Sequence, residues 1–175
     1  MSIVQKTKWN IDTAHSEISF KVKHMMISTV SGHFEDFTAT AETDREDFIG
    51  AAFQFTAKAA SVNTNNRDRD KHLRSDDFFS AALFPEILFT SGSFDGNTMA
   101  GKLTIRDVTR EIRLNVDFNG IAVDLYGQTK AGFEISGSIN RKDFNLAWSA
   151  ITEAGSIVVS DTVKLTAFLQ FIKEK

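Results

Sequence analysis

Cysteine is absent from this sequence, and its absence excludes disulfides and thiol chemistry. Proline and tyrosine each occur once, whereas phenylalanine occurs 16 times. Phenylalanine is the aromatic side chain without a polar atom, so its rings are expected in dry surroundings. A chain of 175 residues with this many phenylalanines is predicted to form either a very aromatic core or an apolar cavity.

The sequence also lacks an excess of one charge and a long apolar run. Acidic and basic residues are well mixed and leave a net charge of −3, so the chain offers no basic field for nucleic acid. No apolar stretch approaches the roughly 20 residues of a membrane span. The N-terminus "MSIVQKTKWNID" lacks the apolar segment of a secretory signal. We therefore expect a soluble protein, cytoplasmic as the sequence stands and periplasmic if a leader has been removed.

No sequence motif of a catalytic or cofactor site is present. The G-x-S-x-G elbow, the P-loop, the dinucleotide fingerprint and the H-E-x-x-H helix are all missing. The histidines, His15, His24, His33 and His72, are scattered and include no helical metal pair. We predict no catalytic residue, no metal site and no cofactor.

Alternation of apolar and polar residues dominates the rest of the chain. In "ISFKV", Ile18, Phe20 and Val22 share one face of a predicted strand, and the polar residues between them share the other. About eight such runs follow one another, and "DGN" (residues 95–97) is a typical hairpin signal between two of them. One wet face on each strand indicates an antiparallel sheet, which closes most economically as a barrel. We predict one all-β domain over residues 1–175.

The longest polar segment, "VNTNNRDRDKHLRSDDFFSA" (residues 62–81), is predicted to form one or two short helices. Thr64 or Asn65 is the expected cap of the first helix, and Ser75 is the expected cap of the second. The alternating charges favour neither a nucleic-acid site nor a catalytic cluster, since the cations are balanced by acids and no nucleophile has a matched base. A capped, solvated helix and a lid over the barrel mouth both remain open, and we favour the lid.

Several stretches, taken in order, resemble the YceI-like family. They are "WNIDTAHSEISFKVKHMMISTVSGHFEDF", "RDRDKHLRSDDFF", "FPEILFTSGSF", "GKLTIRDVTREIRLNV" and "INRKDF". The resemblance implies a closed or nearly closed lipocalin-like antiparallel barrel that holds a long polyisoprenoid chain. It also suggests a homodimer. Asp107 and Asn145 stand where the family usually has glycine, and both residue types tolerate a left-handed turn.

Periodicity alone does not decide between a cavity and a solid core. The resemblance favours the cavity. It implies a binding or carrier protein rather than an enzyme, with a polyprenyl phosphate or an isoprenoid quinone precursor as ligand. Two alternatives stay open, namely a binder of another amphiphile such as a fatty acid or fatty amide, and an enzyme acting on a quinone precursor.

The expected ligand contacts fall into two groups. Residues on the apolar register of their strands, or at the end of the polar segment, are predicted to line the cavity: Phe20, Phe34, Phe53, Phe55, Leu73, Phe78, Phe79, Phe89, Leu103, Leu114, Val116 and Phe133. Cationic residues of the polar segment are predicted to meet a polar or phosphorylated head group: Arg69, His72 and Arg74.

Polar residues in the recurring motifs are predicted to be structural. They are Asp12, His15, His24, Arg141 and Asp143. A buried arginine–carboxylate pair, or a histidine bonded to backbone, would join barrel ends that strands alone leave open. We expect Asp143 to serve Arg141 or the turn that holds both residues. His24 would join the head-group residues if its ring faced the cavity.

Overall fold

The computed structural model describes residues 5–148 and 159–175. One α-helix, α1, spans Arg67–Arg74, and the rest of the regular structure is strand apart from three short 3-10 turns. The strands are β1 Thr7–Ile11, β2 Glu17–His24, β3 Ser28–Phe34, β4 Phe37–Thr43, β5 Ala52–Lys58, β6 Val62–Asn63, β7 Glu86–Phe94, β8 Thr98–Ile105, β9 Val108–Val123, β10 Thr129–Asn140 and β11 Val159–Lys173.

These strands form a closed antiparallel barrel. Three of the barrel strands are interrupted, and each consists of two successive segments: β1 and β2, β3 and β4, and β5 and β6. The two segments of one strand pair with segments of the same neighbouring strands, β1 with β4 and β2 with β3, β4 with β5 and β3 with β6. Together with β7 to β11 they make eight strands, each paired with the next along the chain. β1 pairs with β11 and closes the ring. The predicted all-β barrel of about eight strands is confirmed.

The two ends of the barrel carry different connections. One end holds the β2–β3 turn, α1 with the loop that follows it, the β8–β9 turn and the segment after β10. We call it the helix end. The other end holds the β4–β5 loop, the β7–β8 turn, the β9–β10 turn, the start of β1 and the end of β11. We call it the terminal end.

The hairpin predicted at "DGN" joins β7 and β8. Asp95 accepts hydrogen bonds through Oδ1 from the backbone N–H groups of Asn97, at 2.9 Å, and Thr98, at 2.7 Å. Gly96 takes the positive φ of 102° that the turn requires. The short polar side chain and the glycine therefore fix this turn locally, and the prediction is confirmed.

The helix begins and ends differently from the prediction. Asn66, not Thr64 or Asn65, caps α1 by accepting from the Arg69 N–H at 2.9 Å. Ser75 ends α1 instead of beginning a second helix, because its N–H donates to the His72 carbonyl and its Oγ donates to the same oxygen. The residues after Ser75 form turns, so the described chain has one α-helix.

The two departures from the family's glycines behave differently. Asn145 has a φ of 60° and ends a 3-10 turn in the left-handed conformation, as predicted. In the β8–β9 turn, however, Arg106 takes the positive φ, of 56°, and Asp107 does not. Asp107 therefore makes no use of its left-handed tolerance, and the β8–β9 turn forms with aspartate at this position.

A polar cluster stabilises the barrel where β1 gives way to β2. Asp12 caps the 3-10 turn Thr13–His15, accepting from the Ala14 N–H at 3.2 Å and pairing with the His15 ring at 2.8 Å. The same carboxylate accepts from Lys130 Nζ on β10 at 2.9 Å. The hydrogen bond from Lys130 is the main reason that the pKa of Asp12 lies below its ordinary value. These contacts give Asp12 and His15 structural roles. The role of Lys130 in the same cluster was not predicted.

The cluster predicts how stability depends on pH. A carboxylate with a lowered pKa stabilises the fold above its unfolded pKa of about 4, and the contribution is lost as the pH falls towards the folded value. Asp12→Asn should lower the free energy of unfolding by about 1 kcal/mol at pH 7, a figure that allows for solvent screening. Urea unfolding at pH 7 and pH 3 measures the difference, which should shrink at pH 3.

The exposed Asp36 supplies a matched control for this variant. None of the described side-chain hydrogen bonds uses its carboxylate. Asp36→Asn should change the free energy of unfolding by less than about 0.5 kcal/mol. If Asp12→Asn lowered the free energy of unfolding equally at pH 7 and pH 3, the ion pair with Lys130 would contribute nothing to the closure of the barrel.

Candidate functional site

The terminal half of the barrel is filled with aromatic rings. Phe48, in the β4–β5 loop, is fully buried and turns inward with a φ of 61°. Its ring centroid lies 5.1 Å from Trp9, 5.2 Å from Phe118 and 5.1 Å from Phe133. Rings at these separations and tilts are close-packed. The barrel is therefore closed at the terminal end.

The helix half is hollow. It contains a cavity of about 390 Å³, a volume typical of small-molecule sites. The walls are mostly aliphatic and aromatic side chains from β2 to β11, and α1 and its following loop cover the helix end. Charged side chains contact the cavity mainly at the helix end: Lys23, His24, Arg69, His72 and Arg141. The cavity is thus an apolar blind bore with a polar rim.

Most residues predicted to line the cavity do so. They are Phe20, Phe34, Phe53, Phe55, Leu73, Phe78, Phe79, Phe89, Leu103 and Leu114. Val116 and Phe133 are buried inside the barrel, but they lie in the filled half and not on the cavity. Alternation along a strand gives the face of a residue and not its height in the barrel, which is why these two placements were wrong.

Inward-facing glycines make room for the rings on the cavity wall. A Cβ added to Gly32 on β3 would lie 2.4 Å from Phe20 Cζ and 2.9 Å from Thr64 Cγ2. A Cβ added to Gly101 on β8 would lie 2.6 Å from Phe89 Cζ. Separations this short do not occur between packed carbon atoms. The two rings can therefore lie against the wall only because these positions carry no side chain.

One face of α1 meets the cavity. Arg69, His72 and Leu73 are three and four residues apart, so they share a face of the helix, and all three line the cavity. Arg74 lies about 140° round the helix from Arg69 and does not line it. The prediction that Arg74 belongs to the head-group residues is therefore corrected by helical geometry.

Arg69 is held at the rim by the loop before α1. Its Nε donates to Thr64 Oγ1 at 2.8 Å and its Nη2 donates to the Thr64 carbonyl at 2.6 Å. Asp70 in turn accepts from the N–H of Thr64 at 2.8 Å and from its hydroxyl at 2.5 Å. Within residues 5–148 and 159–175, no hydrogen bond uses Arg69 Nη1. The guanidinium is fixed in place while one edge can still donate.

His72 lies between aromatic rings at the same rim. Its Nε2 pairs with Asp77 Oδ2 at 2.9 Å. Its ring centroid is 4.7 Å from Trp148 and 5.1 Å from Phe78, edge to face in both cases. Asp77 and the two rings therefore hold the His72 side chain in place on the cavity rim.

Arg141 joins the two sides of the loop after β10. Its side chain is almost fully buried, and it donates to the carbonyl oxygens of Leu146, at 2.5 Å, and Trp148, at 2.6 Å. It also donates to the carbonyls of Ser160 and Val159 at the start of β11. Burial lowers the pKa of Arg141, and a guanidinium stays charged in proteins. Arg141 is therefore structural, as predicted.

The carboxylate near Arg141 is not the predicted one. Asp161 Oδ1 lies 3.5 Å from Arg141 Nη2 and 3.4 Å from Lys142 Nζ. Asp143 instead accepts from Arg110 Nε through its backbone carbonyl. The 3-10 turn that holds Arg141 and Asp143 turns their side chains in different directions, and sequence proximity was a poor guide there.

Arg106 connects the loop after α1 to the barrel. Its Nη1 lies within 3.4 Å of the carbonyl oxygens of Asp76, Phe78 and Asn145. Its guanidinium also lies 5.7 Å from the ring centroid of Phe84. The β8–β9 turn, to which Arg106 belongs, thereby fixes the backbone of the loop that carries Phe78 and Phe79. Arg106 was not among the predicted site residues, because nothing in the local sequence distinguishes it from a solvated arginine.

The cavity also has rim and wall residues outside the predicted ligand contacts. His24 lines the cavity, and within the described residues its ring has no hydrogen-bond partner, so it joins the head-group candidates. Ile18 and Val22 line the cavity with Phe20, as their shared register could have indicated. Trp148 and the filling ring Phe48 lie outside strands, where alternation carries no information.

Neither a metal cluster nor a membrane helix is found in the described residues. Across 5–148 and 159–175, no three His, Cys, Asp or Glu side chains come close enough to hold a metal ion. The described helix is also too short and too polar to cross a bilayer.

Comparison with known proteins identifies relatives along most of the chain. A UPF0312 protein of Staphylococcus epidermidis is 36% identical over 166 residues, which cover 94% of this chain and 97% of the relative. A UPF0312 protein of Staphylococcus aureus is 35% identical over the same length and the same shares of both chains. Relatives at this level share the fold and the family.

Solved structures with the same fold include a YCEI protein from Campylobacter jejuni. It is 36% identical, with a TM-score of 0.71 over 87% of this chain and 90% of that one. A polyisoprenoid binding domain from Saccharophagus degradans has a TM-score of 0.67 over 95% of this chain and 98% of that one, at 17% identity, and so shows the fold alone. The sequence model of the family described as the YceI-like domain matches residues 9–171 of this chain. The chain therefore belongs to the YceI-like family.

Proposed function

We propose that this protein binds a single long isoprenoid lipid and carries it with the chain inside the barrel. The observation that carries the proposal is the cavity itself, an apolar bore closed at the terminal end by packed rings and charged at the helix end. An amphiphile has the same division between an apolar chain and a polar head. The chain would fill the bore and the head group would lie at the rim.

The walls suit a hydrocarbon better than a polar metabolite. The interior wall offers few hydrogen-bonding groups, and a polar ligand there would leave its own groups unpaired at a cost of several kcal/mol. A hydrocarbon chain has no polar groups to leave unpaired, and its binding gains about 0.8 kcal/mol for each methylene that is buried. Aromatic rings on several strands, among them Phe20, Phe55 and Phe89, would provide the contact surface.

The rim supports an anionic head group. Arg69 and His72 are held there by Thr64 and Asp77, and His24 faces them from the end of β2. A fixed guanidinium that keeps one edge available is suited to phosphate oxygens. A polyprenyl phosphate is therefore our preferred ligand over an uncharged quinone precursor.

We infer that α1 and the loop to Phe79 act as a lid. Leu73, Phe78 and Phe79 lie on the cavity side, and the Phe79 ring packs 5.8 Å from Phe34 on the wall. These are the apolar contacts that would seal a bound chain from water. Arg106 anchors the loop through the backbone carbonyls of Asp76 and Phe78, so opening the lid would break these hydrogen bonds together with the contact between Phe79 and Phe34.

Binding, rather than catalysis, is the proposed activity. Among the described residues that line the cavity, no hydroxyl is hydrogen-bonded to a histidine, which is the arrangement that nucleophilic catalysis uses. The Saccharophagus degradans domain with the same fold is described as polyisoprenoid binding, which supports an isoprenoid over a fatty chain. The homodimer and the cellular location stay predictions.

Charge removal at the rim tests the head-group assignment. Arg69→Gln should weaken binding of a polyprenyl phosphate by about 1.5–3 kcal/mol, because one charge-assisted hydrogen bond is lost. Binding of the matching polyprenyl alcohol should hardly change. Titration calorimetry or a fluorescent competitor in detergent-free buffer measures both affinities.

Arg74 on the same helix supplies the matched control. Arg74→Gln removes the same charge from a residue that does not line the cavity, so both ligands should bind as to the wild type. Equal losses of phosphate and alcohol in Arg69→Gln would contradict the head-group role and indicate a disturbed lid.

A glycine substitution tests whether the hollow half holds the chain. In Gly32→Ala the new Cβ forces the Phe20 ring into the cavity, so polyprenyl alcohol affinity should fall. The fold should lose about 1–3 kcal/mol of stability through overpacking. Gly92→Ala adds the same methyl to a strand position with no heavy atom within 4 Å and should change neither quantity. Unchanged alcohol affinity in a folded Gly32→Ala variant would place the ligand elsewhere.

A further inference from the structure

An apolar turn projects from the helix end beside the cavity rim. It consists of Met25, Met26 and Ile27, between β2 and β3, and we call it the apolar tip. Met26 is 68% exposed and Ile27 is 82% exposed. The tip directly follows His24, which lines the cavity and pairs with Val159 at the start of β11. Met26 and Ile27 therefore expose apolar surface next to the entrance proposed for the ligand, and Leu83, 72% exposed, does so in the loop after α1 at the same end.

The backbone of the tip is unfavourable for the residues that occupy it. Met25 and Met26 have φ values of 51° and 59°, and the Ile27 N–H donates to the His24 carbonyl at 3.2 Å. Two consecutive positive φ values are those of a type I′ turn, which strongly prefers Asn-Gly. Methionine gains no such local stability there. The sequence has thus placed large apolar side chains where small polar residues would fold better.

Cations lie on the outer wall next to the tip. Lys21 projects outward from β2, and Lys164 on β11 lies directly opposite it in the register. Like charges in facing positions destabilise a sheet. The outward acid of β2, Glu17, stands at the far end of that strand, and Asp161 lies between Arg141 and Lys142. In a chain with a net charge of −3, this wall is a local basic patch.

We propose that the apolar tip and the lysines beside it dock the protein on an anionic lipid bilayer, with the cavity mouth at the membrane surface. The inference rests on the proposed function, since it names the surface from which the lipid would be collected or delivered. Methionine and isoleucine side chains enter the interface between head groups and acyl chains. The lysines attract anionic head groups over a distance of about one Debye length.

Co-sedimentation with lipid vesicles tests the docking. The wild-type protein should bind vesicles of phosphatidylglycerol and phosphatidylcholine at low salt, and at least tenfold more weakly when the vesicles contain phosphatidylcholine alone or the buffer contains 0.5 M salt, because screening removes the charge attraction. Met26→Ser with Ile27→Ser, and separately Lys21→Gln with Lys164→Gln, should each weaken binding to the anionic vesicles at least tenfold. None of these four residues lines the cavity.

The β9–β10 turn supplies the matched control. Leu125 and Tyr126 are also highly exposed, but they lie at the terminal end, away from the cavity and the lysines. Leu125→Ser with Tyr126→Ser should leave vesicle binding unchanged. Absence of wild-type binding, or an equal loss in the control variant, would overturn the proposal. So would tip variants that alter the oligomeric state in light scattering but not vesicle binding, since the tip would then contact protein.

Lipid retention separates this proposal from the proposed function. The tip and lysine variants should bind a polyprenyl phosphate in solution as tightly as the wild type, because their cavities are intact. Normal retention with lost vesicle binding is the expected result. Normal vesicle binding by a protein that takes up no prenyl lipid would retain the docking surface and reject the carrier function.

Discussion

The closure of the sheet on itself is the constraint on which the rest of the structure depends. β11 pairs with β1 through its last residues and with β2 through its middle, so the interrupted first strand is joined along its length to the last strand of the chain. In a closed ring of eight strands the inward side chains must either fill the interior or leave a bore. The 3-10 turn at Asp12 allows this joint to bend without losing its register, and the contact with Lys130 stabilises the bend.

The interior is filled unevenly, and the uneven filling creates the site. Phe48 enters from a loop and completes an aromatic cluster in the terminal half, where Phe53 on β5 and Phe133 on β10 already meet across the interior with ring centroids 5.7 Å apart. In the helix half, Gly32 and Gly101 let rings lie flat against the wall, which widens the bore. The cover of that half is held by arginines that bind backbone carbonyls, Arg106 on the lid loop and Arg141 on the neighbouring loop. A rigid wall and a separately anchored lid are what a carrier needs in order to admit a chain without unfolding.

The sequence was sufficient for the fold and for most of the cavity wall. Alternation identified the strands and their inward faces, and residues such as Phe20, Phe55 and Leu103 line the cavity in the structure. It could not give height along the barrel axis, which depends on the stagger of neighbouring strands, and Phe133 was misplaced for that reason. The helical period already separated Arg74 from Arg69, and applying it would have avoided that error. Contacts between loops distant in sequence, such as Arg106 with Phe78, have no local signal at all.

The central claim is that the hollow half of the barrel holds a long isoprenoid chain. Organic extraction of protein purified without detergent, followed by mass spectrometry, tests this claim most directly. The account predicts a prenyl lipid in near-stoichiometric amount, depleted in the Gly32→Ala variant. A fatty acid or fatty amide in its place would contradict the isoprenoid and leave an amphiphile carrier. A protein that yields no lipid, and takes up none from an added polyprenyl phosphate, would contradict the carrier function itself.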